Sequence, residues 1–240
     1  MDEANAPEKP TKSRLKHFSH YIFEFVMMFL AITLGFFVEN QREKLSSVAE
    51  ERQVMNMLKE DLKFDIERID EIIQLRKDRI TKNDSLIQLL NSPDHDKHME
   101  KIYTYALSAN SRGTLFYVSS SMQFLSEEGF YKISSSDVSD KTRKYFVYTR
   151  NVISSQDGGQ TIAIQLTQQV RRLLNAKGRV TENGKQNLKL FTEDLALINE
   201  FINTIMHFNG NSQAQIKHLE VLRSQAVQLI ESIDREYSEN

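Results

Sequence analysis

Glu24 is the first residue whose surroundings suggest chemistry, because it is the only acidic or basic side chain between residues 21 and 38. A carboxyl group in hydrocarbon costs a few kcal/mol and normally faces protein or water. Three interpretations follow: a helix–helix contact in an oligomer, an ion or proton path, or an interfacial carboxyl that snorkels towards Lys16 or His20. Glu24 lies about 9 Å along a helix from Phe18, which favours the third interpretation.

The segment around His95 and His98 is a second candidate site. These histidines are three residues apart and have Asp94, Asp96 and Glu100 beside them. This spacing is compatible with a divalent metal, but it defines no further ligand elsewhere in the chain. Acidic residues in the first turn of a helix also interact favourably with its positive end without any metal. We therefore expect no metal and no cofactor.

Aromatic residues are concentrated between positions 103 and 148, where ten of the 22 Phe and Tyr residues lie. One interpretation is a pocket for an apolar or peptidic ligand, lined by Tyr117, Phe124 and Tyr145. The other is a core packed by aromatic rings, each of which buries a large area. The second interpretation is the simpler one.

Composition and motifs exclude several classes of protein. The chain of 240 residues has no Cys, which excludes disulfides, Cys-ligated zinc, iron–sulfur clusters and thiol catalysis. It contains no phosphate-binding loop, no Gly-x-Ser-x-Gly and no His-Glu-x-x-His motif. The formal net charge is −2 and no basic stripe is present. We expect neither an enzyme nor a nucleic-acid-binding protein.

The element that positions Glu24 is an apolar run from Phe18 to Val38 that includes Gly35. Its 21 residues form a helix of roughly 31 Å, which matches a bilayer core of about 30 Å. A cleaved signal peptide is less suitable, because the nearest small-x-small site, at 47–49, follows several charged residues. A buried soluble helix is also less suitable, because apolar residues cover every face. The sequence predicts an uncleaved transmembrane helix over residues 18–38.

The flanking charges set the expected orientation. The N-terminal side has four basic residues and the C-terminal side has three: Lys9, Lys12, Arg14 and Lys16 against Arg42, Lys44 and Arg52. The larger positive group normally stays in the cytoplasm. We expect a single-pass protein of a bacterial inner membrane, with a cytoplasmic tail at residues 1–17 and a periplasmic C-terminal body.

Residues 39–91 contain no Gly and no Pro, which is typical of one long helix. Apolar residues recur there at steps of three and four: Met55, Leu58, Leu62, Ile66, Ile69, Ile73, Ile80, Ile87 and Leu90. This is close to a coiled-coil heptad, but Arg76 and Asn83 occupy two expected apolar positions. We expect a stalk near the membrane and a distal part that joins an intramolecular bundle.

Residues 92–240 show further helical stripes and no convincing strand alternation. A short helix over 121–128 should end at Gly129, and Ser136 or Asp137 should cap the next helix. That next helix should bury Val138, Thr142, Tyr145, Thr149 and Val152. Breaks are expected at 91–94 and 157–159. A later helix should start near Leu188 and break or kink at 209–211.

The predicted fold class is therefore all-α. An N-terminal transmembrane helix continues into a long amphipathic helix, and a bundle of four to six helices over 92–240 packs on the distal part of that helix.

Two stretches together resemble a family of uncharacterised single-span membrane proteins common in Bacteroidota. The first is Phe23-Glu24-Phe25, with Phe37-Val38-Glu39-Asn40-Gln41-Arg42-Glu43 and Leu58-Lys59-Glu60-Asp61-Leu62. The second is Ser121-Met122-Gln123-Phe124-Leu125-Ser126-Glu127-Glu128-Gly129-Phe130, then Ile133-Ser134 and Lys144-Tyr145-Phe146. The chain departs from the pattern at Phe23 and in lacking Trp. The resemblance implies an anchored helical protein and no reaction.

We expect a membrane-anchored interaction or scaffold protein that forms a homo-oligomer or joins another membrane protein. This hypothesis predicts that the apolar face from Met55 to Leu90 is only partly covered by the chain's own helices. The alternative is an extracytoplasmic ligand-sensing bundle that signals through a partner. A third reading places Glu24 in an oligomeric ion path.

Overall fold

The computed structural model describes residues 13–116, 119–179 and 187–237, with side chains from His20 onward. Within these ranges the protein is helical and has no strand beyond an isolated bridge between Leu174 and Leu190. The α-helices are α1 (Ser13–Leu90), α2 (Met99–Ser108), α3 (Ser120–Glu128), α4 (Ser136–Ser155), α5 (Asp157–Leu173) and α6 (Leu195–Tyr237). Short 3₁₀ turns occupy His95–His98, Phe130–Lys132 and Ala176–Arg179. The all-α prediction is confirmed.

The chain divides into two units, Met1–Gln53 and Val54–Asn240, and α1 contributes to both. In the first unit every residue from 20 to 50 is exposed. Among the described helices, α1 is the one long and apolar enough to cross a membrane, and none of its apolar window is buried. The sequence boundary between span and stalk, at residues 38 and 39, lies inside this continuous helix.

The second unit is an up-down-up-down bundle of four columns. The distal part of α1, residues 54–90, forms the first column, and α6 runs antiparallel to it. Lys59 Nζ lies 2.9 Å from Asp234 Oδ1, whereas Asn83 Nδ2 lies 2.9 Å from Asn209 Oδ1. Rising residue numbers on α1 therefore meet falling numbers on α6. This alternation is typical of four-helix bundles.

The second column is only partly helical. It consists of α2, a non-helical segment over residues 109–116 that begins with a turn at Ala109 and Asn110, and α3, and it returns along α1. We call residues 109–116 the extended segment, because they follow α2 without forming a helix. Ala109 lies beside Asn83, whereas Ser121 lies beside Asp61, with a backbone N–H to carboxylate distance of 3.1 Å. The second column is therefore helical at its two ends and non-helical in its middle, where it passes along α1.

The third column is α4 followed by α5, which join at Gln156. The break expected at 157–159 lies one residue earlier, and both glycines belong to the first turn of α5. A Cβ on the buried Gly159 would lie 3.1 Å from Asn211 Oδ1 on α6. Gly159 thus permits a close approach of two helices rather than ending one.

Several predicted local features are confirmed. Helix α1 ends at Leu90, immediately before the predicted break, and α3 ends where Gly129 takes a φ of +99°. Helix α4 buries the five predicted residues, namely Val138, Thr142, Tyr145, Thr149 and Val152. Its cap is Ser135, one residue before the predicted position, and the Ser135 hydroxyl accepts a hydrogen bond from the Val138 N–H.

The final helix differs from its prediction. Helix α6 begins at Leu195, so the expectation of a start near Leu188 is wrong. Asp194 Oδ1 accepts a hydrogen bond from the Ala196 N–H at 2.9 Å, which favours the helix start at this point. Residues 209–211 lie inside one continuous helix, because Asn209 is buried and makes side-chain hydrogen bonds instead of a turn.

Two apolar clusters form the core of the bundle. The first cluster joins α1, α3, α4 and the C-terminal half of α6 through residues that include Met55, Leu58, Leu62, Ile69, Ile72, Met122, Leu125, Val138, Tyr145, Leu222 and Leu229. The second cluster joins the end of α1 to α2, α5 and the N-terminal half of α6 through residues that include Leu86, Leu90, Ile102, Tyr103, Leu166, Leu173, Phe201, Ile205 and Phe208. Burial of these side chains drives folding.

Candidate functional site

A layer of buried polar side chains separates the two apolar clusters. On α1 it lies between Ile73 and Leu86, and on α6 between Phe208 and Ile216. We call it the polar layer and define it as Arg76, Arg79, Asn83, Gln156, Asn209, Ser212 and Gln215, all of which are at most 9% exposed. Burial of so many polar groups at one level requires partners for each of them.

Side chains of the polar layer hold the extended segment through alternate carbonyl groups. The bonds run from Asn83 Nδ2 to Ala109 O (3.5 Å), Arg79 Nη1 to Ser111 O (2.6 Å), Arg76 Nη2 to Gly113 O (2.7 Å) and Gln156 Nε2 to Leu115 O (2.9 Å). The four acceptors are the carbonyl groups of every second residue from Ala109 to Leu115. The layer therefore satisfies backbone groups that neither a helix nor a sheet satisfies.

Two further contacts fix the extended segment. Gln156 pairs with Leu115 in both directions, because its Oε1 also accepts from the Leu115 N–H at 3.0 Å. Gly113 lies so close to α1 that an added Cβ would be 3.1 Å from Ile72 Cγ2. A side chain at position 113 would require either Ile72 or the segment to shift. The close packing of Gly113 and the hydrogen bonds of the polar layer thus hold the same segment against α1.

The charge of the polar layer is not balanced within the described residues. Arg76, Arg79 and the exposed Arg112 lie close together, and none of them forms an ion pair with a described carboxylate. Burial and then the charge of Arg112 lower the pKa of Arg76 to about 10. Burial, followed by the charges of Arg76 and Arg112, lowers the pKa of Arg79 to about 10. Both guanidinium groups remain protonated at neutral pH.

Arg79 is the most constrained of these arginines. Its Nη2 donates to Ser212 Oγ, and its Cζ lies 4.2 Å from the centroid of the Phe208 ring. Its Nε is buried and has no hydrogen-bond partner in the part of the chain that the structure describes. An aromatic face stabilises a cation but cannot neutralise it. The site retains an unused donor and excess positive charge.

A second buried polar contact lies in the first apolar cluster. Tyr145 Oη donates to Asp65 Oδ2 at 2.8 Å, and the two residues are 2% and 7% exposed. Burial raises the pKa of Asp65 to about 6, although the Tyr145 hydrogen bond opposes this rise and the charge of Asp61 adds to it. The contact places a titratable group in the core.

The aromatic candidates lie in different environments. Tyr145 belongs to the core, as the packing interpretation predicted for it, whereas Phe124 is 49% exposed on α3. Tyr117 lies outside the described residues. The proposed ligand pocket therefore has one ring in the core and another at the surface.

The membrane candidates lie in the first unit. Glu24, Gly35 and Val38 are exposed, and an added Cβ on Gly35 would have no atom within 4 Å. Phe18 lies in α1, and its side chain is outside the described ones.

The histidine candidates lie in the 3₁₀ turn that follows α1. His95 Nε2 lies 3.6 Å from Asp96 Oδ1. The described part of the chain contains no group of three or more potential metal ligands among His, Cys, Asp and Glu.

Sequence reasoning found Arg76 and Asn83 as interruptions of an apolar stripe but missed Asp65 and Arg79. The signal was present in the spacing. Leu58, Asp65, Ile72, Arg79 and Leu86 are seven residues apart and are all buried. A strict seven-residue count, rather than a search for apolar residues alone, identifies both polar positions as core positions.

These features define a class of protein: a helical bundle preceded by a helix apolar enough to cross a membrane. A family model described as a family of unknown function, DUF6090, matches residues 24–144, which is half of the chain, and the protein belongs to this family. Comparisons with curated proteins and with solved structures found no match. The matched region includes the α1 part of the polar layer and the extended segment, whereas α5 and α6 lie outside it.

Proposed function

We propose that this protein is a membrane-anchored, non-catalytic interaction protein that crosses the bilayer once through residues 18–38. The observation that supports this most strongly is the exposed apolar surface of α1. Phe25, Phe29 and Phe36 are 67%, 58% and 74% exposed. Removing apolar surface from water contributes about 25 cal/mol per Å². A bilayer would provide this stabilisation along the whole run.

The proposal also states which membrane the protein crosses and on which side of it the N-terminus lies. The resemblance to single-span proteins of Bacteroidota and the four-to-three excess of basic residues support a bacterial inner membrane with a cytoplasmic N-terminus. Because the chain has no Cys, single cysteines can report sidedness directly. Ser46→Cys should react with a membrane-impermeant maleimide in spheroplasts, whereas Ser13→Cys should react only after lysis. The reverse labelling pattern would show the opposite orientation, with the N-terminus outside the cytoplasm.

The heptad face of α1 leaves little surface for self-association, because the chain's own helices cover most of it. The prediction that this face is only partly covered stays a prediction. Met55, Leu58 and Ile69 are fully buried by the chain's own helices. Ile66, Ile80 and Ile87 on the same face are half-buried. We therefore place the interaction surface within residues 20–50. Contact between spans is the simplest form of association.

Three residues of the span support a contact between spans. Ala31 and Gly35 are four residues apart, and small residues at this spacing let helices approach closely. Glu24 has no hydrogen bond or ion pair within the described part of the chain. A second span would provide a partner for its carboxyl group.

The test is purification of the full chain in mild detergent, followed by mass measurement by light scattering. We expect a homo-oligomer or a complex with another membrane protein. Gly35→Leu should reduce assembly and Glu24→Gln should weaken it, whereas Phe36→Leu on the same helix should not. A monomer without a copurifying protein would contradict the interaction function, and recovery in the aqueous fraction without detergent would contradict the anchor.

The alternative function is an extracytoplasmic ligand-sensing bundle that signals through a partner. The polar layer favours this alternative over an inert spacer, because buried cationic donors are expensive unless something uses them. The aromatic residues give it less support, since Tyr145 is packed and hydrogen-bonded.

A further inference from the structure

The polar layer has more positive charge than its protein partners balance. Arg76 and Arg79 are 6% and 5% exposed, and their hydrogen-bond acceptors are carbonyl, amide and hydroxyl oxygens. Asp84 accepts a hydrogen bond from Asn209 of the polar layer at 2.9 Å, but it is exposed. Neither Asp84 nor the exposed Asp157 in the first turn of α5 forms an ion pair with Arg76 or Arg79. An ion buried without a countercharge costs several kcal/mol. The layer therefore favours a negatively charged ligand.

The three arginines line a small cavity. It is lined by residues from three columns and the extended segment, including Arg76, Arg79, Arg112, Gln156, Gly159 and Ser212. Arg79, whose buried Nε has no hydrogen-bond partner among the described residues, belongs to this lining. Gly159 belongs to the first turn of α5, where the helix dipole adds positive potential. The lining thus combines charge, an unused buried donor and a helix N-terminus.

Cavity size limits the ligand. Its volume is about 10 Å³, close to the minimum for one water-sized particle. Phosphate, sulfate and carboxylic acids need several times this space. Of the common anions, a halide ion comes nearest to this size, and it has the charge that the arginines require.

We propose that this cavity binds a single chloride ion between the guanidinium groups of Arg76 and Arg79, with Arg112 at its outer edge. The bound ion would neutralise part of the buried charge. It would also hold both arginines in the positions from which they donate to Ser111 and Gly113. Chloride would therefore stabilise the docked extended segment and, with it, the bundle. This inference does not depend on the membrane anchor.

The test is thermal unfolding of the detergent-solubilised full chain, followed by circular dichroism. Chloride replaces gluconate at constant sodium concentration and ionic strength, so that only anion identity changes. We expect a saturable rise of several degrees in Tm, because a ligand that binds only the folded state stabilises it. Bromide should act similarly, and a linear or absent response to chloride would overturn the proposal.

Two variants localise the effect. Arg112→Gln removes the exposed edge charge without touching the buried bonds, and should raise the half-saturating chloride concentration about tenfold, as expected for the loss of one charge-assisted contact. Arg143→Gln removes an exposed arginine paired with Asp140 at 2.9 Å and should leave the chloride response unchanged. Equal responses of both variants would overturn the site.

Direct binding provides a readout that does not depend on unfolding. Chloride-35 NMR line broadening on the full chain should indicate one exchanging site per chain, and Arg112→Gln should reduce the broadening. Arg79→Lys keeps the positive charge but loses the planar array of guanidinium N–H donors. If this variant folds, it should show no excess chloride line broadening. No excess broadening in the unmodified protein would overturn the proposal, whatever the variants do.

Discussion

Replacing Asp65 with Asn should stabilise the bundle at neutral pH, although Asp65 makes a good hydrogen bond. Its carboxyl accepts from Tyr145 Oη at 2.8 Å in the first apolar cluster. Burial raises the pKa of Asp65 from 3.8 to about 6, and the charge of Asp61 adds to the rise against the Tyr145 bond. Asn keeps an oxygen that accepts from Tyr145 but has no charge.

The sign and size of the effect follow from the pKa of Asp65. Between pH 3.8 and about 6 the folded protein binds this proton more tightly than the unfolded chain does, so the free energy of unfolding falls as the pH rises through this window. Since one pKa unit corresponds to about 1.4 kcal/mol, the ionised form loses roughly 3 kcal/mol of stability above pH 6. Asp65→Asn should recover most of that loss at pH 7.5 and little at pH 4.

The assay is urea unfolding of the full chain in detergent, followed by circular dichroism between pH 4 and pH 8. Asp70→Asn is the matched control, because Asp70 lies on the same helix but is exposed and paired with Arg223 at 2.7 Å. Loss of that exposed pair should cost at most about 1 kcal/mol. The reasoning is refuted if Asp65→Asn keeps the pH slope of the unmodified protein or is the less stable form at pH 7.5.

Three further substitutions test local geometry by thermal unfolding. Gly129→Ala should destabilise by about 1–2 kcal/mol, because φ is +99° and the new Cβ would overlap the Tyr131 ring. Gly158→Ala, where an added Cβ meets nothing within 4 Å, should be neutral or stabilising by up to about 1 kcal/mol; equal losses would contradict the reasoning. Asp61→Ala should cost about 1–2 kcal/mol because Asp61 Oδ2 accepts from the Ser121 N–H and hydroxyl, and a smaller loss for Ala than for Asn would contradict the capping role.

The helical faces could be predicted from sequence where burial alone determines them. Helix α4 buries Val138, Tyr145 and Val152 because residues three and four apart share a helix face. The break after Leu90 was also predictable, since Pro93 cannot continue a helix. Such signals are local and need no knowledge of the partner helix.

The polar layer could not be predicted in the same way. A seven-residue count places Arg79 in the core but does not indicate its partners, because its acceptors on 109–115 come from a segment that follows a different helix. The start of α6 was missed for a related reason. Leu188 continues the apolar step of three and four, but the cap at Asp194 fixes the start seven residues after Leu188.

The polar layer also determines the register of α1, which is its position along the helix axis relative to the neighbouring helices. The apolar residues of α1 repeat every seven positions and would tolerate a shift by one heptad. Such a shift would carry Arg76 to the level of Ile69 in the first apolar cluster, away from the carbonyl of Gly113. A buried guanidinium without acceptors costs several kcal/mol. The two buried arginines in an otherwise apolar interface thus allow only one alignment of α1 with its neighbouring helices.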